Sequence, residues 1–269
     1  MNDRTKIAIA ATGLAAGLVA KTLYDRSKER SISGEVVLIT GNSGTALANR
    51  FAREGCRVAI CARDEEDFQG SREGIFTTRR DVTQKSEAES AIAEVVRHFG
   101  RIDILVTHTG SVKPVPAAAA PIEDFERAMN ETFWGMAYPA LGVLPEFRKR
   151  KSGHIVNVAS GGIAPPSLAM TAARQAAAGF SEALRTELAQ SGITVANLTA
   201  KDPALAARDA VSLVKRRDTA DSTKTNPIAS FLSGDLLELA GNLLVPKTRT
   251  RAALTVGKMV AQYFQQRTA

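Results

Sequence analysis

Val36-Val37-Leu38-Ile39-Thr40-Gly41-Asn42-Ser43-Gly44, then Ala46-Leu47-Ala48-Asn49-Arg50-Phe51-Ala52, then Arg57-Val58-Ala59-Ile60-Cys61-Ala62-Arg63, is the stretch from which the fold is read. A short β-branched run breaks at Thr-Gly, and the apolar residues that follow recur at helical spacing before a second apolar run. The order is strand, tight turn, helix, strand. Gly55 after Glu54 supplies a left-handed helix stop, and the second strand is expected to end on Arg63. Strands apolar on both faces belong inside a parallel sheet covered by helices. Ligands of such sheets sit beyond the carboxyl ends of the strands, here at Thr40 to Thr45 and at Arg63.

Outward from this unit, the same alternation continues. The crossover from Asp64 to Gly74 has 11 residues, fewer than the dozen or more of an ordinary parallel crossover, so its helix is expected to be missing or reduced to a turn, leaving one face of the sheet thinly covered. A strand at Ile75 to Thr78 leads to an amphipathic helix, Gln84 to Phe99, with Ala88, Ala91, Ile92, Val95 and Val96 as its buried stripe. A strand at Ile102 to Val106 precedes Thr107-His108-Thr109-Gly110 and a Pro/Ala-rich loop. Ile122 to about Arg150 reads as one long helix or two. Further strands are read at His154 to Ala159 and Gly192 to Leu198, and further helices at Ala172 to Ala189 and Pro203 to Lys215.

The composition bounds the function. Thirty-five basic against 28 acidic residues leave +7, scattered in clusters such as Arg148 to Lys151 and Lys215 to Arg217 that read as solvated helix ends. No nucleic-acid motif is present, and aromatics are too sparse for base-stacking platforms. Cys56 and Cys61 flank one strand, which argues against a disulfide between them and for a reducing, cytoplasmic compartment. His98, His108 and His154 show no metal-ligand spacing.

Ile7 to Ala20 is an uncharged run of 14 residues. As a helix it would be about 21 Å long, against roughly 30 Å of bilayer hydrocarbon. A signal peptide, a helix packed on the domain and a membrane anchor or membrane-dipping segment are the alternatives, the last preferred. Lys21, Arg26, Lys28 and Arg30 after the run outnumber Arg4 and Lys6 before it, which would keep the main domain cytoplasmic. Asp25 to Gly34 reads as a polar linker. After Arg217, a polar stretch from Asp218 to Asn226 leads to two weakly amphipathic segments, Ile228 to Leu239 and Ala252 to Phe264.

From about Gly34 to Asp218 the chain resembles the short-chain dehydrogenase/reductase family. The likeness is carried by Thr40-Gly41-x-x-Gly44, Arg79-Arg80-Asp81-Val82-Thr83, Gly100 to Val106, Gly153-His154-Ile155-Val156-Asn157-Val158-Ala159-Ser160, and Gly179 to Leu188, in the family's order. The resemblance implies a single doubly wound, Rossmann-like α/β domain over 34–218, with an apolar N-terminal segment and linker at 1–33 and a helical C-terminal extension at 219–269. It also implies a cofactor of the NAD(P) type and an alcohol or carbonyl substrate.

Site residues follow from the resemblance position by position. Gly41, Ser43 and Gly44 form the phosphate turn, three residues shorter than the family's, so its helix-packing glycine is expected to be missing. Arg63 matches the position where a basic residue receives the 2′-phosphate of NADP; a solvated loop arginine beside Asp64, Glu65 and Glu66 is the other reading. Asp81 and Val82 match the adenine contacts, and Gly110 is what survives of an Asn-Asn-Ala-Gly turn. His108 there is either a replacement acid or, preferably, a hydrogen-bonding substitute. Ser160 fits the catalytic serine, Thr132 stands in the Asn slot, Met170 in the Tyr slot and Arg174 in the Lys slot. A thioether has no proton to give. After Leu198, Thr199 to Asp202 leads straight to Pro203, where relatives carry a substrate-covering loop.

Two functions are therefore carried forward. One is an NADP-dependent oxidoreductase with impaired or lost catalysis; the other is a non-catalytic, membrane-associated nucleotide-binding or scaffold module. A homo-oligomer is expected from the family's helix-mediated association, and a copy without any function also stays open.

Overall fold

The computed structural model describes residues 29–41, 44–109, 121–160, 167–200 and 202–217. The apolar run at 7–20 and the segments at 228–239 and 252–264 lie outside them. Six strands, β1 (Val36–Gly41), β2 (Arg57–Ala62), β3 (Phe76–Arg79), β4 (Ile104–Thr109), β5 (Gly153–Ser160) and β6 (Ile193–Ala200), pair in parallel in the order β3-β2-β1-β4-β5-β6. The order reverses between β1 and β4, and this is where ligands of doubly wound sheets bind.

Alternate residues of each strand face opposite layers. Val37 and Ile39 pack toward α1 (Thr45–Arg53) and α6 (Pro203–Arg216), among Leu47, Phe51, Ala210 and Val214. Val36 and Leu38 face α2 (Lys85–Phe99), α4 (Gly135–Arg150) and the end of α5 (Leu168–Glu187), among Ile92, Val95, Phe147 and Leu184. With both faces covered, each apolar side chain leaves water, at roughly 25 cal/mol per Å² removed.

The short crossover after β2 holds a single 3₁₀ turn, Glu65–Phe68, in place of a helix. Hydrogen bonds to α1 hold it: Thr45 Oγ1 donates to the Asp67 carbonyl at 2.8 Å and Asn49 Nδ2 to the Gly70 carbonyl at 2.9 Å. Between 122 and 150 the chain forms α3 (Ile122–Ala128), a π-helical segment Met129–Trp134, and α4.

Some boundaries differ from the sequence reading. β2 ends at Ala62, one residue before Arg63, and β4 continues to Thr109, so Thr107 and His108 belong to the strand, paired with Asn157 and Val158. α5 begins at Leu168, four residues earlier than expected, because Ser167 caps it by accepting from the Met170 N–H at 3.2 Å. The end of the expected linker is packed: Ile32 is buried, and its carbonyl accepts the Cys56 thiol at 3.2 Å. Both cysteines are free, and burial pushes each thiol up to about 12.

At the amino edge, His154 is buried between Arg30 Nη2, 2.8 Å from its Nε2, and Thr194 Oγ1, 2.6 Å from its Nδ1. Arginine can only donate, so Nε2 accepts and the neutral ring carries its proton on Nδ1. Burial, then the charges of Arg30 and Arg217, lower its pKa to about 4. Nearby, burial alone would raise the Asp103 pKa, but hydrogen bonds from Arg101, the Val36 N–H and Arg150 together hold it below the ordinary carboxylate value.

Both groups weaken the fold in acid. A depressed histidine gives stability that is full above the unfolded value near 6.5 and lost as pH falls toward 4. The amount is on the order of 3 kcal/mol for such a shift. Asp103 adds its own loss below the ordinary carboxylate range. Urea unfolding from pH 7 to pH 4 is expected to show the parent losing that increment relative to His154→Asn; parallel pH curves for the two chains would remove His154 from the account.

Candidate functional site

The strands present Gly41, Ala62, Arg79, Thr109, Ser160 and Ala200 at their carboxyl edge. Gly41 has φ +99, and a Cβ there would run into the His108 carbonyl oxygen of the paired strand β4. Gly44 stands at the N-cap of α1, where a Cβ would lie 2.9 Å from Ile39 Cγ2. This corrects the expectation that the helix-packing glycine is missing. Gly44 itself brings α1 close to β1. The N-cap residue Gly44 brings no side chain to cap α1, and the first turn holds no acid, so its N–H groups and positive dipole end face the edge. Ser43 and Gly110 lie outside the described residues.

Arg63 is exposed one residue past β2, its Nε 3.6 Å from Asp64 Oδ2. A pair this exposed contributes little to stability and does not commit the guanidinium. Asp81 Oδ1 accepts from the Thr83 N–H at 3.0 Å and from its hydroxyl at 2.7 Å. Val82 is buried in the layer against α2 and α4, so its side chain serves packing. Asn130 in the π segment donates from Nδ2 to Thr83 Oγ1 at 3.3 Å, linking the Asp81 turn to the helices over the other half of the site.

In that half the Asn and Tyr slots meet. Thr132, buried in the π segment, donates from Oγ1 to Met170 Sδ at 3.7 Å. Met170 is also buried, in the first turn of α5. One turn later, Arg174 is half-buried, and burial lowers its pKa. Ser160 ends β5 opposite Ala200 of β6. His108 is half-buried on β4, between Gly41 and Val158. The short exit from β6 is also present: Asp202 caps α6 by accepting the Leu205 N–H at 2.8 Å.

A buried polar network escaped the sequence reading. Thr107 Oγ1 donates to Asn157 Oδ1 at 2.8 Å, and Asn157 Nδ2 donates to Ser181 Oγ at 2.8 Å and to Asn197 Oδ1 at 3.4 Å. Thr107, Asn157 and Asn197 stand side by side in the ladder. Satisfied in this way, they fasten β4, β5, β6 and α5 to one another just below the edge. Asparagines inside the otherwise apolar runs Val156 to Val158 and Val195 to Leu198 were the available signal.

A nicotinamide dinucleotide fits these residues at one end. The uncapped α1 terminus and close-packed Gly41 and Gly44 suit its pyrophosphate, with Arg63 and Asp81 beyond. In the other half, the group that Thr132 meets at the Tyr slot is the Met170 thioether and not a phenol. Among the described residues no cluster able to hold a metal ion occurs, and no helix is long and apolar enough to cross a membrane.

Comparison with known proteins agrees with this geometry. Oxidoreductase BOA17 of Botryotinia fuckeliana is 31% identical over 172 residues, 60% of this chain and 63% of that protein, so the match spans less than two thirds of its length. An uncharacterized oxidoreductase of Staphylococcus saprophyticus is 28% identical over 182 residues, 62% of this chain and 78% of its own. The crystal structure of a short-chain type dehydrogenase/reductase from Mycobacterium marinum shares the fold, with a TM-score of 0.64 at 21% identity over 70% of this chain and 91% of that one. NAD+-bound xylitol dehydrogenase gives 0.56 at 26% identity over 63% and 71%. With the family model described as short chain dehydrogenase matching residues 35–201 of the 269, the chain belongs to the short-chain dehydrogenase family of NAD(P)-dependent oxidoreductases.

Proposed function

We propose that this chain holds NADP(H) at the carboxyl edge of its sheet and that its hydride transfer to or from alcohols and carbonyls is impaired or lost. The observation that carries this reading is the Thr132–Met170 contact, in which the hydroxyl donates to a thioether in the slot that resembles the family's tyrosine. When bound, NADPH supplies a hydride to a carbonyl carbon, and the carbonyl oxygen then needs a proton. Met170 has none, and the Thr132 hydroxyl directs its own at the sulfur. Arg174 remains a cation even when partly buried, which suits it to an anion or a ribose hydroxyl rather than to lowering a neighbour's pKa as lysine does. Ser160 matches the serine of the resemblance, but with Met170 in the Tyr slot it has no phenol to assist.

At the other end, the α1 terminus with Gly41 and Gly44 takes the pyrophosphate, Asp81 and the Val82 main chain take adenine, and Arg63 takes the 2′-phosphate. Fluorescence titration of the full chain with NADPH and NADH, then turnover on a panel of ketones and aldehydes, tests the reading. NADPH is expected to bind more tightly than NADH, with turnover near background. Arg63→Ala is expected to weaken NADPH by about tenfold, the size of one charge-assisted hydrogen bond, and to leave NADH unchanged. Brisk turnover that Met170→Leu leaves intact would mean that another acid, His108 first, serves; absence of binding would remove the cofactor from the proposal. Trp134 and Leu141, apolar and outward near the start of α4, support a homo-oligomer, which sedimentation of the full chain tests.

A further inference from the structure

The amino edge of the sheet, opposite the coenzyme edge, gathers cations from separate parts of the chain. α4 ends in Arg148, Lys149 and Arg150 with Lys151 after them, and α6 ends in Lys215 and Arg216 with Arg217 after them. Arg57 opens β2, and Arg101 stands just before β4. Lys149, Lys151, Arg57, Arg101 and Arg217 are all exposed. Cations at helix C-termini complement a dipole worth about half a unit charge. That accounts for a cation or so per helix, but not for runs of three and four, nor for Arg57 at the start of β2 and Arg101 ahead of β4.

The acids at this edge are already engaged. Asp103 takes Arg101 and Arg150, Glu54 takes Lys215 at 2.6 Å, and the exposed Glu187 takes Arg148 at 2.6 Å. The outward charge is therefore positive. At the opposite edge three arginines, Arg63, Arg79 and Arg80, are set among Asp64, Glu65, Glu66 and Asp67 and the Glu87 and Glu94 that pair with Arg80, and α3 opens with Glu123 and Asp124. The run of cations without matching acids thus lies at the amino edge, and a molecule with such an excess turns that end toward an anionic surface.

The path of the chain is a second, independent observation. The Arg30 N–H donates to the Lys215 carbonyl at 3.1 Å, so the polypeptide enters the fold at this same edge, beside the end of α6. Nine residues separate this point from the uncharged run Ile7 to Ala20, and three of them, Lys21, Arg26 and Lys28, are basic.

We infer that the amino edge is a docking surface for an anionic lipid bilayer, with the coenzyme edge turned to the aqueous side. A short apolar segment and a basic patch each bind membranes weakly; together they supply the two signals that stable attachment needs. This inference stands apart from the coenzyme reading, since no residue of one serves the other.

Cosedimentation of the full chain with vesicles tests it. Binding is expected to phosphatidylcholine vesicles containing phosphatidylserine, weaker to phosphatidylcholine alone, and to fall as salt rises. Each cation near such a surface is worth roughly a fivefold change in partitioning, so Lys149→Glu, Lys151→Glu and Arg217→Glu combined are expected to cut binding at least about a hundredfold. These side chains are exposed, and an unchanged unfolding midpoint confirms that the fold is retained. Glu123→Lys, at the opposite edge, is expected to change binding little. Equal binding to both vesicle types, indifference to the three reversals, or a gain from Glu123→Lys as large as their loss would each overturn the inference. So would tighter, equally charge-sensitive binding to a nucleic-acid duplex.

Discussion

Met170→Tyr combined with Arg174→Lys is expected to raise NADPH-dependent carbonyl reduction by about a hundredfold to ten-thousandfold over the parent chain, the range that positioned general-acid catalysis contributes. The two positions are four residues apart in α5 and so share a helix face. A phenol at 170 would replace the thioether that Thr132 now meets, putting a proton donor in the slot that resembles the family's tyrosine. An ammonium one turn later favours the phenolate, which arginine with its fixed charge and planar fork does less well. Because Met170 is buried, the larger ring has a packing cost of about 1–3 kcal/mol. Met170→Phe with Arg174→Lys controls for this, carrying the ring without the proton, and is expected to stay at the parent rate. Equal rates for the two double variants, measured with NADPH bound, would show that more than a proton donor is missing.

Gly41→Ala is expected to destabilise the domain by about 3 kcal/mol or more and to abolish dinucleotide binding with it. Two costs add at this residue. Its φ of +99 is strained for any side chain, and the new methyl would run into the His108 carbonyl across the β1–β4 ladder. That carbonyl is backbone, held by the sheet, so relief requires the two central strands to part at the point where the strand order reverses. For a domain of this size the loss corresponds to roughly 10 °C in Tm. Gly44→Ala meets the stiff, buried Cγ2 methyl of Ile39 at 2.9 Å but no backbone, and its φ of −70 is open to any side chain, so it is expected to cost less. Thermal unfolding of both variants decides the point; a Gly41→Ala chain as stable as Gly44→Ala would contradict the assignment.

Much of the architecture was legible because it rests on local chemistry. Runs such as Val36 to Ile39 and Val58 to Ala62, apolar at every position, have no stable place except a sheet buried on both sides, and the helical spacing between them makes that sheet parallel. The shrunken crossover at 64–74 followed from chain length, since the strands it joins lie side by side. Where the reading slipped, the deciding interaction was remote or outside the pattern counted. β4 runs on through Thr107 and His108 because β1 and β5 supply hydrogen-bonding partners there, and Gly44 is a packing glycine because Ile39 stands beneath it.

By itself, then, the amino-acid order determined the alternation of strands and helices, the family likeness, and the absence of a phenol at 170, all properties of residue type and spacing. Only the tertiary structure decided that Thr132 meets Met170, that Thr107, Asn157 and Asn197 form one buried row, and that the cations of α4, α6, β2 and the start of β4 share an edge. Those facts depend on strand order and register. Both are set by which distant surfaces bury each other best, a choice that no local run of sequence encodes.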